Sequence, residues 1–216
     1  KLKVLSNSWG GGGYSAALND AIKAANDAGI LFVAAAGNNS SNNDSTENYP
    51  SNYNVPNVIA VAAIAQDGSK ASFSNYGATT VDLAAPGVGI YSTVRNNGYS
   101  SFNGTSMATP HVSGVAALVY ARIPQLSPQD VKLQLMQTVK PLSALNGYMV
   151  SPGVVNAEAA IGDPSNYPPD LAPIPSALIN PTTRIKTIPL LASDRENDAL
   201  SFTASIMLPQ HQVNAA

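Results

Sequence analysis

The unbroken apolar run at residues 30–36, Ile-Leu-Phe-Val-Ala-Ala-Ala, is the feature that most restricts how this chain can fold. A strand with one wetted face alternates apolar and polar residues, whereas a continuous run of this length indicates a strand buried on both faces. Residues 58–64 have the same character. Strands covered on both faces belong to parallel sheets flanked by helices, so the sequence predicts an α/β fold.

Residues typical of helices and helix ends flank these apolar runs. Ser15 precedes apolar residues at helical spacing and Gly29 closes the segment, which predicts a capped helix between a strand at residues 3–7 and the run at 30–36. A strand–helix–strand unit of this length implies parallel strands joined by a right-handed crossover. Residues 112–122 are apolar nearly all round, which predicts a central helix covered on most sides.

The boundaries of the later elements follow from capping rules. These rules place the cap of the central helix at Thr109, with Pro110 as its first residue. Ser127 and Asn156 are the predicted caps of two further helices. Three segments are predicted as short strands or loop edges: 73–76, 81–84 and 89–94.

Composition divides the chain into three parts. Residues 1–162 carry the strand and helix patterns and are numerous enough to bury a sizeable core. Residues 163–184 are predicted to be a proline-rich linker, because clustered prolines sustain neither a helix nor a central strand. Residues 185–216 contain two strand-like segments, 185–191 and 200–206, on either side of an acidic turn, and predict the start of a β-rich module.

Charge and cysteine content exclude several classes of function. A net charge of −2 and a pI near 5.5 argue against a nucleic-acid partner or an anionic membrane surface. The absence of cysteine excludes disulfides, thiolate metal sites and a cysteine nucleophile. No apolar run reaches the length of a membrane span. The chain has only 2 histidines, so a mechanism that needs a histidine base has two candidates.

The string Asn-Gly-Thr-Ser-Met-Ala-Thr-Pro-His at residues 103–111 carries the strongest chemical signal. It holds Ser106 on a glycine turn at a helix start, where backbone N–H groups and the helix dipole favour a developing negative charge. The plain alternative is a serine or threonine that only caps the helix, which is the commoner role of such a sequence.

This string resembles the nucleophile motif of the subtilisin-like serine proteases, the subtilases, and matches it at every defined position. Further segments resemble that family in the same order along the chain: 7–11, 33–38, 49–50, 58–61, 73–77 and 83–87. The resemblance covers residues 1–162. It implies a parallel-sheet, three-layer subtilisin-like sandwich and a serine endopeptidase that cleaves polypeptide substrates through an acyl-enzyme.

The resemblance also assigns roles to residues. Ser106 corresponds to the nucleophile, which needs a neighbouring base to take its proton. Asn38 corresponds to the side-chain donor of the oxyanion hole, assisted by the N–H of Ser106; an aspartate there would repel the charged oxygen. The substrate-binding residues implied are Ser8, Trp9, Gly10, Ala35, Ala36, Gly37 and Asn48. Their small side chains predict a roomy, apolar-leaning pocket, and the Tyr49–Pro50 bond is predicted to be cis.

The sequence departs from the family pattern at the catalytic base. The segments that carry the triad aspartate and histidine should precede residue 7, and neither occurs in this sequence. His111 lies about 140° around the helix from Ser106, and His211 lies in the tail, so neither is expected to act as the base. The chain is therefore expected to be the C-terminal half of a catalytic domain without its N-terminal part, poorly soluble and inactive alone.

The family resemblance implies no required cofactor, although calcium remains a candidate structural ion. A weak cation site of some family members falls near Ser51, Tyr53, Val58 and Asp82. Oxygen ligands from a loop cannot be counted from sequence, so the sequence leaves this site open.

Three alternative interpretations remain. A sedolisin-like peptidase shares the Gly-Thr-Ser serine but uses an acidic oxyanion residue and a glutamate base, and Asn38 argues against it. A pseudoprotease would lack the base in its full-length form as well. An adhesion or binding fragment would act through a cadherin-like or immunoglobulin-like module in the tail. In each case the protein is expected to be secreted or at the cell surface.

Overall fold

A mixed six-stranded sheet forms the centre of the protein. The computed structural model describes residues 1–162 and, beyond them, only residues 170–171 and 192–193. The sheet strands are β1 (Val4–Asn7), β2 (Leu31–Ala35), β3 (Val58–Ile64), β4 (Leu83–Pro86), β7 (Lys140–Pro141) and β8 (Gly153–Val154). Their order is β1-β2-β3-β4-β8-β7, and only β7 runs antiparallel to its neighbour. Every residue of β2 and β3 is buried, which confirms the predicted burial on both faces.

Helices cover both faces of this sheet. They are α1 (Ala16–Asp27), α2 (Thr105–Arg122), α3 (Pro128–Gln137) and α4 (Ala157–Ile161). Ile22 of α1 packs with Phe32 and Ala34 on one face. Val112 of α2 packs with Val33 and neighbouring strand residues on the other face, together with residues of α3 and α4. The predicted α/β class and three-layer arrangement are confirmed.

Three of the four predicted helix caps are confirmed. Ser15 accepts a hydrogen bond from the N–H of Leu18, and α1 ends just before Gly29. Ser127 forms a capping box with Asp130 at the start of α3. The side chain of Asn156 caps α4 by accepting a hydrogen bond from the N–H of Ala159. Within the part of the chain that the structure describes, no helix is both long and apolar enough to cross a bilayer.

Two local features were settled by the structure. Residues 73–76, predicted as a short strand or loop edge, form a loop in which the hydroxyl of Ser74 accepts a hydrogen bond from the N–H of Ala63. Residues Gly98–Phe102 form a strand, β6, that the sequence did not predict, paired antiparallel with β5 (Ile90–Val94). The hairpin β5–β6 leads directly into the turn before α2.

The chain divides into a compact unit at Lys1–Gly162 and a second unit at Asp163–Ala216. In the second unit, β9 (Asp170–Leu171) pairs antiparallel with β10 (Ala192–Ser193). The strands predicted at 185–191 and 200–206 lie outside the described residues. The β module of the tail therefore stays a prediction.

Candidate active site

Three segments meet where the parallel strands end at their carboxyl side. Ser8 follows β1, Asn38 follows β2 after a short connection, and Ser106 is the second residue of α2. The N–H of Gly104 donates to the carbonyl oxygen of Gly87 at 2.8 Å, which fixes the turn before α2 against the end of β4. Crevices at this end of a parallel sheet are the usual ligand sites of α/β folds.

Helix α2 begins at Thr105, four residues before the cap predicted from Thr109 and Pro110. Pro110 therefore lies inside the helix, where its missing N–H leaves the carbonyl oxygen of Ser106 without the usual helical donor. The hydroxyl of Ser8 supplies a replacement and donates to that oxygen at 2.7 Å. The predicted helix start at Pro110 was wrong because the donor that replaces the missing N–H comes from a residue 98 positions away in the sequence.

A second hydrogen bond joins the same two residues in the opposite direction. The hydroxyl of Ser106 donates to the carbonyl oxygen of Ser8 at 3.2 Å. The nucleophile candidate is thus held against the segment that follows β1. In this arrangement the Ser106 hydroxyl lies at an exposed position at the helix N-terminus.

The side chain of Asn38 has a defined orientation. Its Oδ1 accepts hydrogen bonds from the backbone N–H of Thr105 at 2.8 Å and from the Thr105 hydroxyl at 2.9 Å. A backbone N–H can only donate, so the amide oxygen must face Thr105 and Nδ2 must point away from it. Sequence reasoning missed this role of Thr105, whose only signal is its place between Gly104 and Ser106.

Two N–H donors converge beside Ser106. Within the described residues, neither Nδ2 of Asn38 nor the backbone N–H of Ser106 donates to another protein group. A Cβ built on Gly104 would lie 3.7 Å from Nδ2 of Asn38 and 3.6 Å from the nitrogen of Ser106. Glycine at position 104 therefore leaves open the space between the two donors. This space suits an oxygen atom that carries negative charge.

The predicted substrate-binding residues lie together around this space. Ala35 and Ala36 are buried at the end of β2, and Nδ2 of Asn48 donates to the carbonyl oxygen of Ala36 at 3.0 Å. A Cβ on Gly10 would lie 3.4 Å from the same Nδ2. The segments after β1 and β2 and the loop at Asn48 therefore form one wall. Trp9, between Ser8 and Gly10, is 49% exposed.

Gly37 has a backbone conformation, φ 112°, that favours glycine. A Cβ there would also lie 2.5 Å from Nδ2 of Asn75, so there is no room for a side chain. Asn75 is a second residue that sequence reasoning missed: its Oδ1 accepts from the N–H groups of Asn39 and Ser41, and its Nδ2 donates to Asn43. Asn75 thereby fixes the loop that follows Asn38.

The Tyr49–Pro50 peptide bond is cis, as predicted. It lies directly after Asn48, and the carbonyl oxygen of Tyr49 accepts from the N–H of Gly11 at 3.1 Å. This contact joins the loop at residues 48–50 to the glycine-rich segment after Trp9.

His111 is not placed as a base for Ser106. His111 is exposed, and its Nδ1 pairs with the carbonyl oxygen of Met107 at 2.8 Å, one turn back along α2. A carbonyl only accepts, so Nδ1 carries the hydrogen in this contact. His211 lies outside the described residues.

The loop carboxylates are engaged elsewhere. Burial alone would raise the pKa of Asp44, but hydrogen bonds from Thr80 and Thr79 outweigh it and hold the pKa below its ordinary value. Hydrogen bonds from Ser69 lower the pKa of Asp67. Asp82 pairs with Lys132, 2.9 Å away. None of the three carboxylates contacts Ser106 or His111 in the described part of the protein.

Comparison with known proteins agrees with this geometry. Residues 1–167 match the family described as "Subtilase family". The chain is 44% identical over 160 residues to subtilisin DY of Bacillus licheniformis, covering 74% of this chain and 57% of that protein. It is 44% identical over 159 residues to alkaline elastase YaB of Bacillus sp. strain YaB, covering 74% and 40%. The chain thus spans about half the length of these curated relatives.

Solved structures are similar as well. A protease of Pseudoalteromonas arctica PAMC 21717 matches with a TM-score of 0.67 and 34% identity, covering 74% of this chain and 50% of that one. A cold-adapted subtilisin-like serine proteinase matches with a TM-score of 0.59 and 37% identity, covering 71% and 52%. On its sequence and its fold, the chain belongs to the subtilase family of serine proteases.

Proposed function

We propose that this chain is the nucleophile-bearing part of a longer parent protein, a serine endopeptidase that hydrolyses peptide bonds through an acyl-enzyme at Ser106. One observation carries the proposal: two unpaired N–H donors, from Asn38 and from the Ser106 backbone, converge beside the Ser106 hydroxyl at a helix N-terminus. A helix that merely needs a cap has no use for a second, side-chain donor aimed at the same space.

The chemistry follows from these positions. Ser106 Oγ attacks the carbonyl carbon of the substrate while a base takes its proton, and the carbonyl oxygen becomes negative between the two donors. The C–N bond breaks as the amine takes the proton from the base, which leaves an ester on Ser106. Water then attacks the ester, gives its proton to the base, and releases the carboxylic acid product with the Ser106 hydroxyl restored.

The base in this scheme comes from outside the described residues. Strand β1 is at the edge of the sheet, with no partner on its other side among the described strands. Leu2, two residues before β1, is 56% exposed. An unpaired strand edge with an exposed apolar residue next to it in the chain favours pairing with further chain. We therefore assign the missing histidine and aspartate to residues of the parent protein that cover this edge.

The proposed substrate is an extended polypeptide of broad sequence. Ser8 and Gly10 lie in the exposed segment that follows β1, and a peptide can pair with this segment by backbone hydrogen bonds, which select little for sequence. The small residues Ala35, Ala36 and Gly37 leave room for a large apolar side chain. We expect such a protease to act outside the cell, where protein substrates of mixed sequence are available.

The direct test compares the parent protein with the isolated chain 1–216 on a fluorogenic peptide and on casein. The parent is expected to cleave both, and the isolated chain neither, because the oxyanion donors remain but the base is absent. A fluorophosphonate probe should label the parent at Ser106 and fail to label the isolated chain. Cleavage by the isolated chain at the parent's rate would contradict the assignment of the base, and an inert parent would identify a pseudoprotease.

Ser8 offers a second test, of how the nucleophile is positioned. Ser8→Ala in the parent removes the donor to the Ser106 carbonyl and should lower the free energy of unfolding by about 1 kcal/mol. In a Pro110→Ala background the new backbone N–H can donate to the same carbonyl. The loss of unfolding free energy caused by Ser8→Ala should therefore be smaller in that background, by roughly 0.5 kcal/mol or more. Urea unfolding of the four proteins measures this difference. Equal losses in both backgrounds would show that the Ser8 hydroxyl does not compensate for Pro110.

A further inference from the structure

A nearly buried ion pair lies at the amino ends of β3 and β4, opposite to the carboxyl ends where Ser106 lies. Asp82 immediately precedes β4 and is 7% exposed. Its Oδ2 accepts from the N–H of Ala60 at 2.7 Å, and its Oδ1 accepts from the ammonium of Lys132 at 2.9 Å. The same ammonium donates to the carbonyl oxygen of Val58 at 2.5 Å. One cation thus joins α3 to the start of β3 and to the segment before β4.

A cavity of about 390 Å³ adjoins this pair. Its lining includes the residues at which the sequence suggested a weak calcium site: Ser51, Tyr53, Val58 and Asp82. The position that a calcium ion would need beside Val58 and Asp82 is taken by the ammonium of Lys132.

The oxygen atoms at this cavity do not suit calcium. Calcium binds six to eight oxygen ligands. Asp82 is the one carboxylate in the lining, and the described residues hold no group of three acidic or histidine side chains able to bind a metal. The donor set fits an ammonium with three N–H groups better than a divalent ion.

We propose that Lys132 is the structural cation of this cavity: its ammonium neutralises Asp82 and bridges to Val58, and the cavity binds no calcium while Lys132 is present. The charge balance supports this assignment. Burial raises the pKa of Asp82, and the ammonium of Lys132 and the N–H of Ala60 oppose the rise. Without Lys132 the carboxylate would be buried beside a single N–H donor, the situation in which a bound metal ion becomes favourable.

The experiment uses the parent protein with Ser106→Ala, which prevents self-digestion, and measures calcium binding by equilibrium dialysis. Adding Asp82→Asn to this protein should leave the number of bound calcium ions unchanged. Adding Lys132→Met should lower the Tm in EDTA by on the order of 10 °C, because one partner of a buried pair is removed.

Lys23→Met is the matched control, since Lys23 pairs with Asp20 at 4.0 Å on the surface. Its Tm should fall by less than about 2 °C. Loss of one bound calcium in Asp82→Asn would overturn the proposal, and so would a Lys132→Met protein no less stable than Lys23→Met. If Lys132→Met fails to fold, calcium dialysis of the Asp82→Asn protein still tests whether the cavity binds calcium. Neither readout depends on peptidase activity, so this proposal can fail while the proposed function stands.

Discussion

Replacing Ser106 by alanine in the parent protein is expected to abolish peptide hydrolysis. The fall in kcat should be about a millionfold, which is the loss that subtilisin itself shows when its catalytic serine is removed. The physical reason is that the neighbouring hydroxyls among the described residues are already engaged: that of Ser8 donates to the Ser106 carbonyl and that of Thr105 donates to Asn38. Initial rates on a fluorogenic peptide and labelling by a fluorophosphonate probe both measure the loss.

Ser113→Ala is the matched control for this prediction. Ser113 lies two turns along the same helix, where its hydroxyl donates to the carbonyl oxygen of Thr109 and can accept from the hydroxyl of Ser6, away from the two N–H donors beside Ser106. Its removal should leave kcat within about twofold, because surface substitutions have small effects. Labelling that persists in the Ser106→Ala protein would show that Ser106 is not the nucleophile. The Tm of Ser106→Ala should change little, since it loses only the 3.2 Å contact with Ser8.

Asn38→Asp is the second substitution with a large expected effect. The carboxylate can still accept both hydrogen bonds from Thr105, so the fold and the position of the side chain should be kept. The Nδ2 donor is lost and a negative charge takes its place beside the developing oxyanion. The kcat should fall by at least about 100- to 1000-fold, with KM little changed; the scale is that of the equivalent donor of subtilisin itself.

Asn38→Ala and Asn39→Ala complete this test. Asn38→Ala loses both the donor and the contacts with Thr105, so it should match Asn38→Asp in lost kcat and also lower the Tm. Asn39, the exposed neighbour, bonds Asn75 through its backbone N–H, and its replacement should leave kcat near the unmodified value. A fully active Asn38→Asp protein with an inactive Asn38→Ala protein would mean that Asn38 acts through structure alone.

The buried framework was predictable because its signals are local. The apolar runs of β2 and β3 can be read without knowing their partners, since any strand covered on both faces requires such a run. The caps at Ser15 and Ser127 involve residues three positions apart. The arrangement of the candidate site followed from family resemblance, and the sequence by itself left Ser106 and Asn38 open to a capping or loop role.

What escaped prediction depends on contacts between distant residues or on exposed segments. The start of α2 requires the hydroxyl of Ser8, and the filling of the cavity near Asp82 requires Lys132, 50 residues later along the chain. Strand β6 is half exposed, so it has no core pattern to reveal it. Its local signal was the turn at Asn96 and Asn97, both of which have positive φ before Gly98.

The ammonium of Lys132 differs from a metal ion in one thermodynamic respect. An ion that binds from solution stabilises a fold by an amount that depends on its free concentration relative to its dissociation constant. A cation attached to α3 by its own side chain has no such concentration term, because it can be neither diluted away nor chelated. Stability where Lys132 joins α3 to the sheet should therefore be the same in calcium-poor and calcium-rich surroundings.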